Sequence, residues 1–308
     1  MTRRDWLASA IGGAVCFAAP NGDGAGHLAV INDEAGLTRA ETFGFAKQYG
    51  IRAIELRSAQ TPKLSYVERL PDAELKELKT QLDDAGLFAS TLDSSLLKIV
   101  FPGTTAVTRE DFYVNYYAGL GLTDESMYRD RLEMLKRTIH AAHLVGAPNV
   151  RVFAYWRVAN PQMILKRVAE DMSRMAEVAE REKLRLVLET EMSTNVATSD
   201  EAAQMMKLVP SPAFGINWDP QNSLEYESKP FPDGYNKLPK DRIWNVHVKA
   251  EGLFGPKHPL PWDAIIPAML KDGYSGKFSL ETHRGHDARN VAASRQCVEK
   301  LLKILQQG

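Results

Sequence analysis

The sequence predicts a single (β/α)₈ barrel, an α/β fold in which eight parallel strands alternate with helices. Eight short segments rich in branched apolar residues recur from about residue 27 to the end, and amphipathic helical segments separate them. No glycine-rich phosphate loop follows the first strand, which disfavours a doubly wound dinucleotide-binding sheet. With 308 residues, 44% of them hydrophobic, the chain is long enough to bury one such core.

The predicted strands are short, apolar and followed by turn residues, the pattern of parallel strands covered on both faces. They span residues 27–33, 52–58, 87–93, 149–156, 184–191, 214–220, 243–250 and 277–283.

Helix signals lie between these strands. The clearest predicted helices span residues 70–86, 160–183 and 198–209. The first ends at Gly86, and the second has Asn160 as its expected N-cap with Pro161 at its first position. The third opens with Thr198 and Glu201, the spacing of a capping box.

Two connections are long. Residues 94–128 follow the third strand and carry five aromatic residues before an expected helix start at Met127 and Tyr128. A connection of this length is either a functional lid or structural padding. The second long connection, residues 251–263, follows the seventh strand.

Residues 1–25 are predicted to be an export signal and linker, and residues 26–308 the barrel domain. Paired Arg3 and Arg4 precede a short run of small apolar residues that ends at Ala18 and Ala19. The run is too short to span a membrane, and its start is similar to a twin-arginine signal, so we expect export to the periplasm. The alternative is an N-terminal extension of a cytoplasmic protein.

The net charge limits the expected binding partners, and the cysteine content limits the possible disulfides. The net charge is −1 and no Lys/Arg block is present, so nucleic acid and anionic membranes are not expected partners. Cys16 falls inside the expected signal, which leaves Cys297 alone and excludes a disulfide within the barrel. Cys297 is expected to be a small core residue in the last helix.

The last four strands each end in a side chain that binds metals: Glu189, Asp219, His247 and Glu281. They are 30, 28 and 34 residues apart, about one strand–helix unit each. Because strand C-termini meet at one rim of a barrel, the four are predicted to converge there. Three carboxylates and an imidazole suit one divalent ion, with Mn²⁺ preferred and Co²⁺, Mg²⁺ or Zn²⁺ as alternatives.

The alternation of side chains along a strand adds two layers to this site. Two residues before the four candidate ligands lie Val187, Asn217, Asn245 and Ser279. Three of these are polar, as expected of groups that orient metal ligands. Two residues after the ligands lie Glu191, Gln221, Lys249 and His283, which would face a substrate.

Taken in order, these motifs resemble a known family. The matching segments are AAHLVGAPNVRVF, RLVLETE, NWDPQN, NVHVKA and DGYSGKFSLETH. The chain resembles the sugar phosphate isomerase/epimerase group of the xylose isomerase-like TIM barrels from residue 27 to about residue 305. The resemblance implies that Glu189, Asp219, His247 and Glu281 bind one divalent metal, and that Glu189 and Glu281 are the catalytic acid/base pair.

The resemblance implies an isomerase or epimerase acting on a sugar or small hydroxy-ketone. A proton next to the carbonyl is removed, and the metal stabilises the enediolate that forms. The alternative with the same site is a lyase or dehydratase on keto-sugars or keto-glycosides, in which a β-leaving group departs instead. Both imply a small carbohydrate as partner, and a homo-oligomer is compatible with either. A DNA-repair endonuclease would need more histidines and a basic face.

Three positions depart from the family pattern. Asn222 stands where ketose 3-epimerases carry a histidine, and Leu253 where they carry an arginine. Ala250 replaces the aspartate that follows the lysine of the seventh strand in many members. Because the first two family residues hold substrate hydroxyls, these departures argue against a free-ketose 3-epimerase.

The candidate substrate-binding residues are Glu55, Trp156, Glu191, Asn222, Lys249 and His283. Lys249 would polarise a carbonyl or hold an oxyanion; the alternative is a strand-end lysine that reaches solvent. Glu55 would contact the substrate or pair with an arginine such as Arg151. Trp156 and Trp218 would stack on a sugar ring or belong to the core.

Overall fold

The computed structural model describes residues 23–60, 65–256, 259–283 and 288–307, and there the predicted barrel is confirmed. Eight parallel strands close in sequence order, with β1 paired to β8. The strands are β1 (Leu28–Ile31), β2 (Ala53–Leu56), β3 (Phe88–Leu92), β4 (Asn149–Val152), β5 (Arg185–Glu189), β6 (Phe214–Trp218), β7 (Ile243–Val248) and β8 (Lys277–Leu280). Each lies inside a predicted segment and is shorter than it.

Helices surround the barrel. They are α1 (Asn32–Ala35), α2 (Arg39–Gln48), α3 (Asp72–Asp84), α4 (Asp111–Gly119), α5 (Asp124–Val145), α6 (Leu165–Arg181), α7 (Ser199–Leu208), α8 (Pro220–Ser223), α9 (Tyr235–Lys237), α10 (Ala250–Phe254), α11 (Trp262–Lys271) and α12 (Ala288–Leu305). Their apolar faces cover the strands; in α3, for example, Leu75, Leu78 and Leu82 are buried at helical spacing. Cys297 of α12 is buried, as predicted.

The strand register determines which side chains meet inside the barrel. Glu189 of β5 is level with Asn217 of β6, and His247 of β7 is level with Ser279 of β8. A residue that faces inward therefore has an inward-facing neighbour on the next strand. This register produces the predicted layer of polar side chains below the strand ends.

One predicted helix start is confirmed and another differs. Thr198 and Glu201 form the expected capping box at α7, but the side chain of Asn160 caps nothing. Residues Pro161–Met163 form a 3₁₀ turn instead, with the amide of Ile164 donating to the carbonyl of Pro161. This tighter i→i+3 turn delays the α-helix, so α6 begins at Leu165.

The connection between β3 and β4 is more ordered than predicted. The prediction that a helix starts at Met127 was wrong, because Thr123 forms a capping box with Ser126 and α5 begins at Asp124. Before it lies α4, whose Tyr113 and Tyr117 are buried against the top of the barrel. Whether this connection acts as a lid stays a prediction.

Residues 1–22 lie outside the described residues, so the export signal stays a prediction. Among the residues that the structure does describe, none of the helices combines the length and apolarity needed to cross a membrane.

Candidate active site and metal centre

Four predicted ligands lie together at the C-terminal end of the barrel. Ligand atoms of Glu189, Asp219, His247 and Glu281 all lie within 4.8 Å of one another, and all four residues are buried. The Nδ1 atom of His247 is 3.2 Å from Glu281 Oε2 and 3.5 Å from Glu189 Oε1. The structure therefore brings together the four side chains that the strand spacing singled out.

Asp219 is aimed by the helix that follows it. As the N-cap of α8, its Oδ1 accepts hydrogen bonds of 2.9 Å from the amides of Gln221 and Asn222. This fixes the carboxylate and turns Oδ2 toward the other ligands.

Two carboxylate oxygens in the cluster lack hydrogen bonds from the described residues. They are Asp219 Oδ2 and Glu281 Oε2, both fully buried. Each faces the ammonium of Lys249, at 2.7 Å and 3.4 Å. Three buried carboxylates and one imidazole, with ligand atoms within 4.8 Å of one another, match the oxygen and nitrogen ligands that a divalent ion takes, and such an ion would compete with Lys249 for Asp219 Oδ2.

The cluster affects the protonation of its members. Burial alone would lower the pKa of His247, but Glu189, Glu55 and Glu281 outweigh it and hold that pKa well above its usual value. Burial would raise the pKa of Glu189, but His247 and Arg151 outweigh it and lower that pKa to about 2. A metal ion that uses His247 must therefore displace a proton, so its binding is coupled to proton release.

A polar layer lies beneath the ligands. Glu55 Oε1 is 2.8 Å from Nε2 of His247, and its Oε2 accepts a 2.9 Å hydrogen bond from Asn245. Asn217 lies 3.4 Å from Glu189 Oε2, and Ser279 donates to Asn245. Of the two roles considered for Glu55, pairing with Arg151 is not observed, because Glu55 holds the histidine.

Arg151 belongs to a neighbouring ion-pair group. Its Nη1 is 3.0 Å from Glu189 Oε2 and 3.2 Å from Asp93 Oδ2, with all three residues buried. Glu55, Asp93 and His247 form a second close set of metal-ligand types. Glu189 and Glu281 of the first, upper set line the cavity described next, whereas Glu55 and Asp93 of this lower set do not, so the upper set is the better metal site.

The cluster opens into a cavity of about 570 Å³. Arg57 lines it and binds Glu281 Oε1 at 2.7 Å, while its other atoms contact Asp33 and Glu34. His283 lies 3.0 Å from the same Glu281 oxygen and also lines the cavity.

Of the residues predicted to bind substrate, two line the cavity and two others are buried beside the candidate metal ligands. Glu191 and His283 line the cavity. Lys249 is buried rather than solvent-exposed, and it donates to Asn222 Oδ1 at 2.6 Å. Asn222 in turn lies 3.4 Å from both Glu189 and Glu191.

Trp156 and Trp218 are both fully buried. Trp156 lines a smaller neighbouring cavity behind Lys98, and Trp218 packs on Tyr235.

Two charged residues of the site were not among those predicted from the sequence. Arg57 follows Glu55 by two positions and comes directly after β2, so the same alternation that was applied to the last four strands points to it. Lys98 lies in the connection after β3, where it sits over the rings of Tyr113 and Phe153 and binds Glu110 at 2.5 Å. No local pattern marks Lys98, because Glu110 and Tyr113 lie well beyond it in the same connection, and Phe153 and Glu191 follow later strands.

Comparisons with known proteins identify the family and agree with the fold. A family model described as a xylose isomerase-like TIM barrel matches residues 43–302. The fructoselysine 3-epimerase of Shigella flexneri is 25% identical over 201 residues, which cover 62% of this chain and 72% of the relative.

Solved structures show the same fold. The 3-keto-D-glucoside 4-epimerase of E. coli has a TM-score of 0.62 and 16% identity, covering 90% of this chain and 95% of its own. A xylose isomerase-like TIM barrel protein from Mycobacterium smegmatis in complex with magnesium has a TM-score of 0.61 and 22% identity, covering 90% and 91%.

Proposed function

The chain belongs to the xylose isomerase-like TIM barrel family, and from that premise we propose that it is a metal-dependent epimerase or isomerase of a sugar or sugar derivative. The observation that carries the proposal is the buried cluster of Glu189, Asp219, His247 and Glu281, four metal-ligand side chains at the inner end of a cavity. The similarity to a curated sugar epimerase supports the reaction class.

The four ligands would hold one divalent ion, for which we propose Mn²⁺ with Co²⁺, Mg²⁺ and Zn²⁺ as the alternatives to be compared. A magnesium complex of a protein with this fold supports an ion of this class. Bound there, the ion supplies Lewis-acid polarisation of a substrate carbonyl.

Glu189 and Glu281 are the proposed proton-transferring pair. In each carboxylate one oxygen faces His247 and the other accepts from an arginine, Arg151 for Glu189 and Arg57 for Glu281. The arginines fix both carboxylate planes. Although burial would raise both pKa values, His247 and Arg151 lower the pKa of Glu189, and His283, Lys249 and His247 lower that of Glu281, so both carboxylates stay ionised. In each carboxylate the proton-transferring oxygen is the one turned away from the metal, so that one glutamate takes a proton from the substrate carbon and the other returns one to its opposite face.

Lys249 is the proposed stabiliser of negative charge that develops on substrate oxygen. Its ammonium lies between Asp219, Glu281 and Asn222, with little freedom to move. A cation fixed in a buried site stabilises a developing oxyanion without reorganising during the reaction.

A lyase or dehydratase with the same residues is the second candidate. Leu253 is buried in an apolar environment and offers no group to hold a substrate hydroxyl, unlike the arginine that ketose 3-epimerases carry there. After the proton is removed, the electron pair expels a β-substituent instead of being reprotonated.

Incubation with keto-sugars in D₂O separates these functions. Mn²⁺-loaded enzyme is given a panel of free ketoses and 3-keto-glucosides, and the products are analysed by mass spectrometry and NMR. Epimerisation places deuterium at the inverted carbon, whereas elimination releases an aglycone or water. The Glu281→Gln variant is the control, and absence of turnover across the panel in the metal-loaded wild type would contradict the proposal.

We also propose export to the periplasm, which rests on Arg3 and Arg4 ahead of a short apolar run. Cell fractionation tests it. Replacing both arginines with lysine is expected to retain the protein in the cytoplasm, and unchanged fractionation would contradict it.

A further inference from the structure

The cavity is larger than the reaction at its inner end requires. Its volume of about 570 Å³ lies within the range of about 300–1,000 Å³ typical of sites that enclose drug-sized ligands. Its inner wall carries Glu189 and Glu281, and a single sugar ring placed against them fills only part of the space. The outer part must therefore contact something else.

The outer wall is apolar and aromatic. Leu37 and Phe112 both line the cavity, and they are among the exposed large hydrophobic residues, at 51% and 44%. Phe112 packs edge-on against Tyr113, with ring centroids 5.1 Å apart, and Tyr113 is stacked on Tyr66 at 6.4 Å. Exposed apolar side chains that continue into a binding cavity indicate a ligand that covers them.

Two polar groups of this wall, the Gln60 amide and one oxygen of Glu110, are already engaged by the protein. The Gln60 amide donates to the carbonyl of Gly36 at 2.9 Å and to Thr42. Glu110 Oε1 is 2.5 Å from both Lys98 and Ser193. Among the described residues, the outer wall thus offers rings and methyl groups more readily than hydrogen bonds, which suits an apolar group better than a second sugar.

We propose that Leu37, Tyr66, Phe112 and Tyr113 form a subsite for a planar, apolar substituent, such as an aryl group, carried by the sugar that reacts at the inner end of the cavity. The inference rests on the proposed function for what happens at the inner end of the cavity. It narrows the proposed substrate class to sugar derivatives with an apolar aglycone. Specificity then comes from the burial of Phe112 and Leu37 against that aglycone.

Binding of unreactive glucosides tests the subsite without any need for turnover. Phenyl β-D-glucoside, methyl β-D-glucoside and cellobiose are titrated against the full-length, metal-loaded protein by calorimetry. We expect phenyl glucoside to bind roughly tenfold more tightly than the other two, from burial and ring contacts. In Phe112→Ala this preference falls below about threefold.

Phe88→Ala is the matched control, because Phe88 is 42% exposed at the start of β3, at the opposite end of the barrel. It is expected to keep the full preference. Equal affinity for the three glucosides, tightest binding of cellobiose, no binding of any of them at millimolar concentration, or an unchanged preference in Phe112→Ala would overturn the proposal. A phenyl preference without turnover of any keto-sugar would leave the subsite intact and refute the proposed function instead.

Discussion

His247 Nε2 lies 2.8 Å from Glu55 Oε1, so the imidazole is held from below while its Nδ1 faces Glu189 and Glu281. Groups that orient a metal-binding histidine in this way typically change metal affinity by about 10- to 100-fold when they are replaced. We expect Glu55→Gln to weaken Mn²⁺ binding by that factor, as measured by competition with a chelator. Glu201→Gln, a buried acid paired with Arg157, is the control. Unchanged affinity in Glu55→Gln would show that Glu55 does not support the ligand.

Lys249 lies 2.7 Å from Asp219 Oδ2, the oxygen that a metal ion would need. Replacing Lys249 with methionine removes a competing cation, so we expect metal binding to be tighter while turnover falls by about 10²–10³-fold. Chelator competition and steady-state kinetics measure the two effects. Lys277→Met, at the opposite end of β8, should change neither. Loss of metal from Lys249→Met would contradict this assignment.

Lys98 is buried between two acids, with Glu110 at 2.5 Å and Glu191 at 3.5 Å. Lys98→Met leaves Glu191 without its cation, and removing one partner of a buried pair costs about 3–5 kcal/mol. We expect a loss of this size in the free energy of urea unfolding. Adding Glu191→Gln should recover part of it, and a double variant no more stable than Lys98→Met would refute the pairing.

Glu68 is a buried acid in the turn between β2 and α3. Burial raises its pKa to about 7, from an ordinary value of 4.5. Since the unfolded chain releases this proton at lower pH, the folded state loses stability as pH rises from about 4.5 to 7, by up to roughly 3 kcal/mol.

The Glu68→Gln variant removes this pH-dependent cost. We expect it to be more stable than the wild type at pH 8, by an amount that shrinks at pH 5, in urea unfolding experiments. Glu170→Gln, an exposed acid on α6, controls for the loss of one surface charge. A stability difference that is the same at both pH values would exclude the ionisation of Glu68 as the cause.

Much of this fold was predictable because it repeats. Each apolar strand must be covered by a helix, and the strand–helix unit has a nearly constant length, so Glu189, Asp219, His247 and Glu281 recur at similar intervals and meet at one rim. The polar residues Asn217, Asn245 and Ser279 were also predictable, since strand side chains alternate strictly between faces.

The less predictable features depend on tertiary contacts. Helix α4 forms where Tyr113 and Tyr117 find a buried surface, which local propensity does not reveal. Trp156 lies beyond the last residue of β4, where the alternation no longer fixes which way a side chain points. Lys98 is placed by Glu110, which is 12 residues further along the same connection, and by Glu191 after β5, so only the folded chain shows its role.

The metal content of the full-length protein, purified without chelator and equilibrated with Mn²⁺, tests the central claim most directly. Elemental analysis is applied to the wild type and to Asp219→Asn and Asp93→Asn, which alter the upper and lower ligand sets separately. We expect one ion per chain in the wild type and in Asp93→Asn, and loss of the ion in Asp219→Asn. A wild type that binds no ion, or an ion kept by Asp219→Asn but lost by Asp93→Asn, would contradict the proposed site.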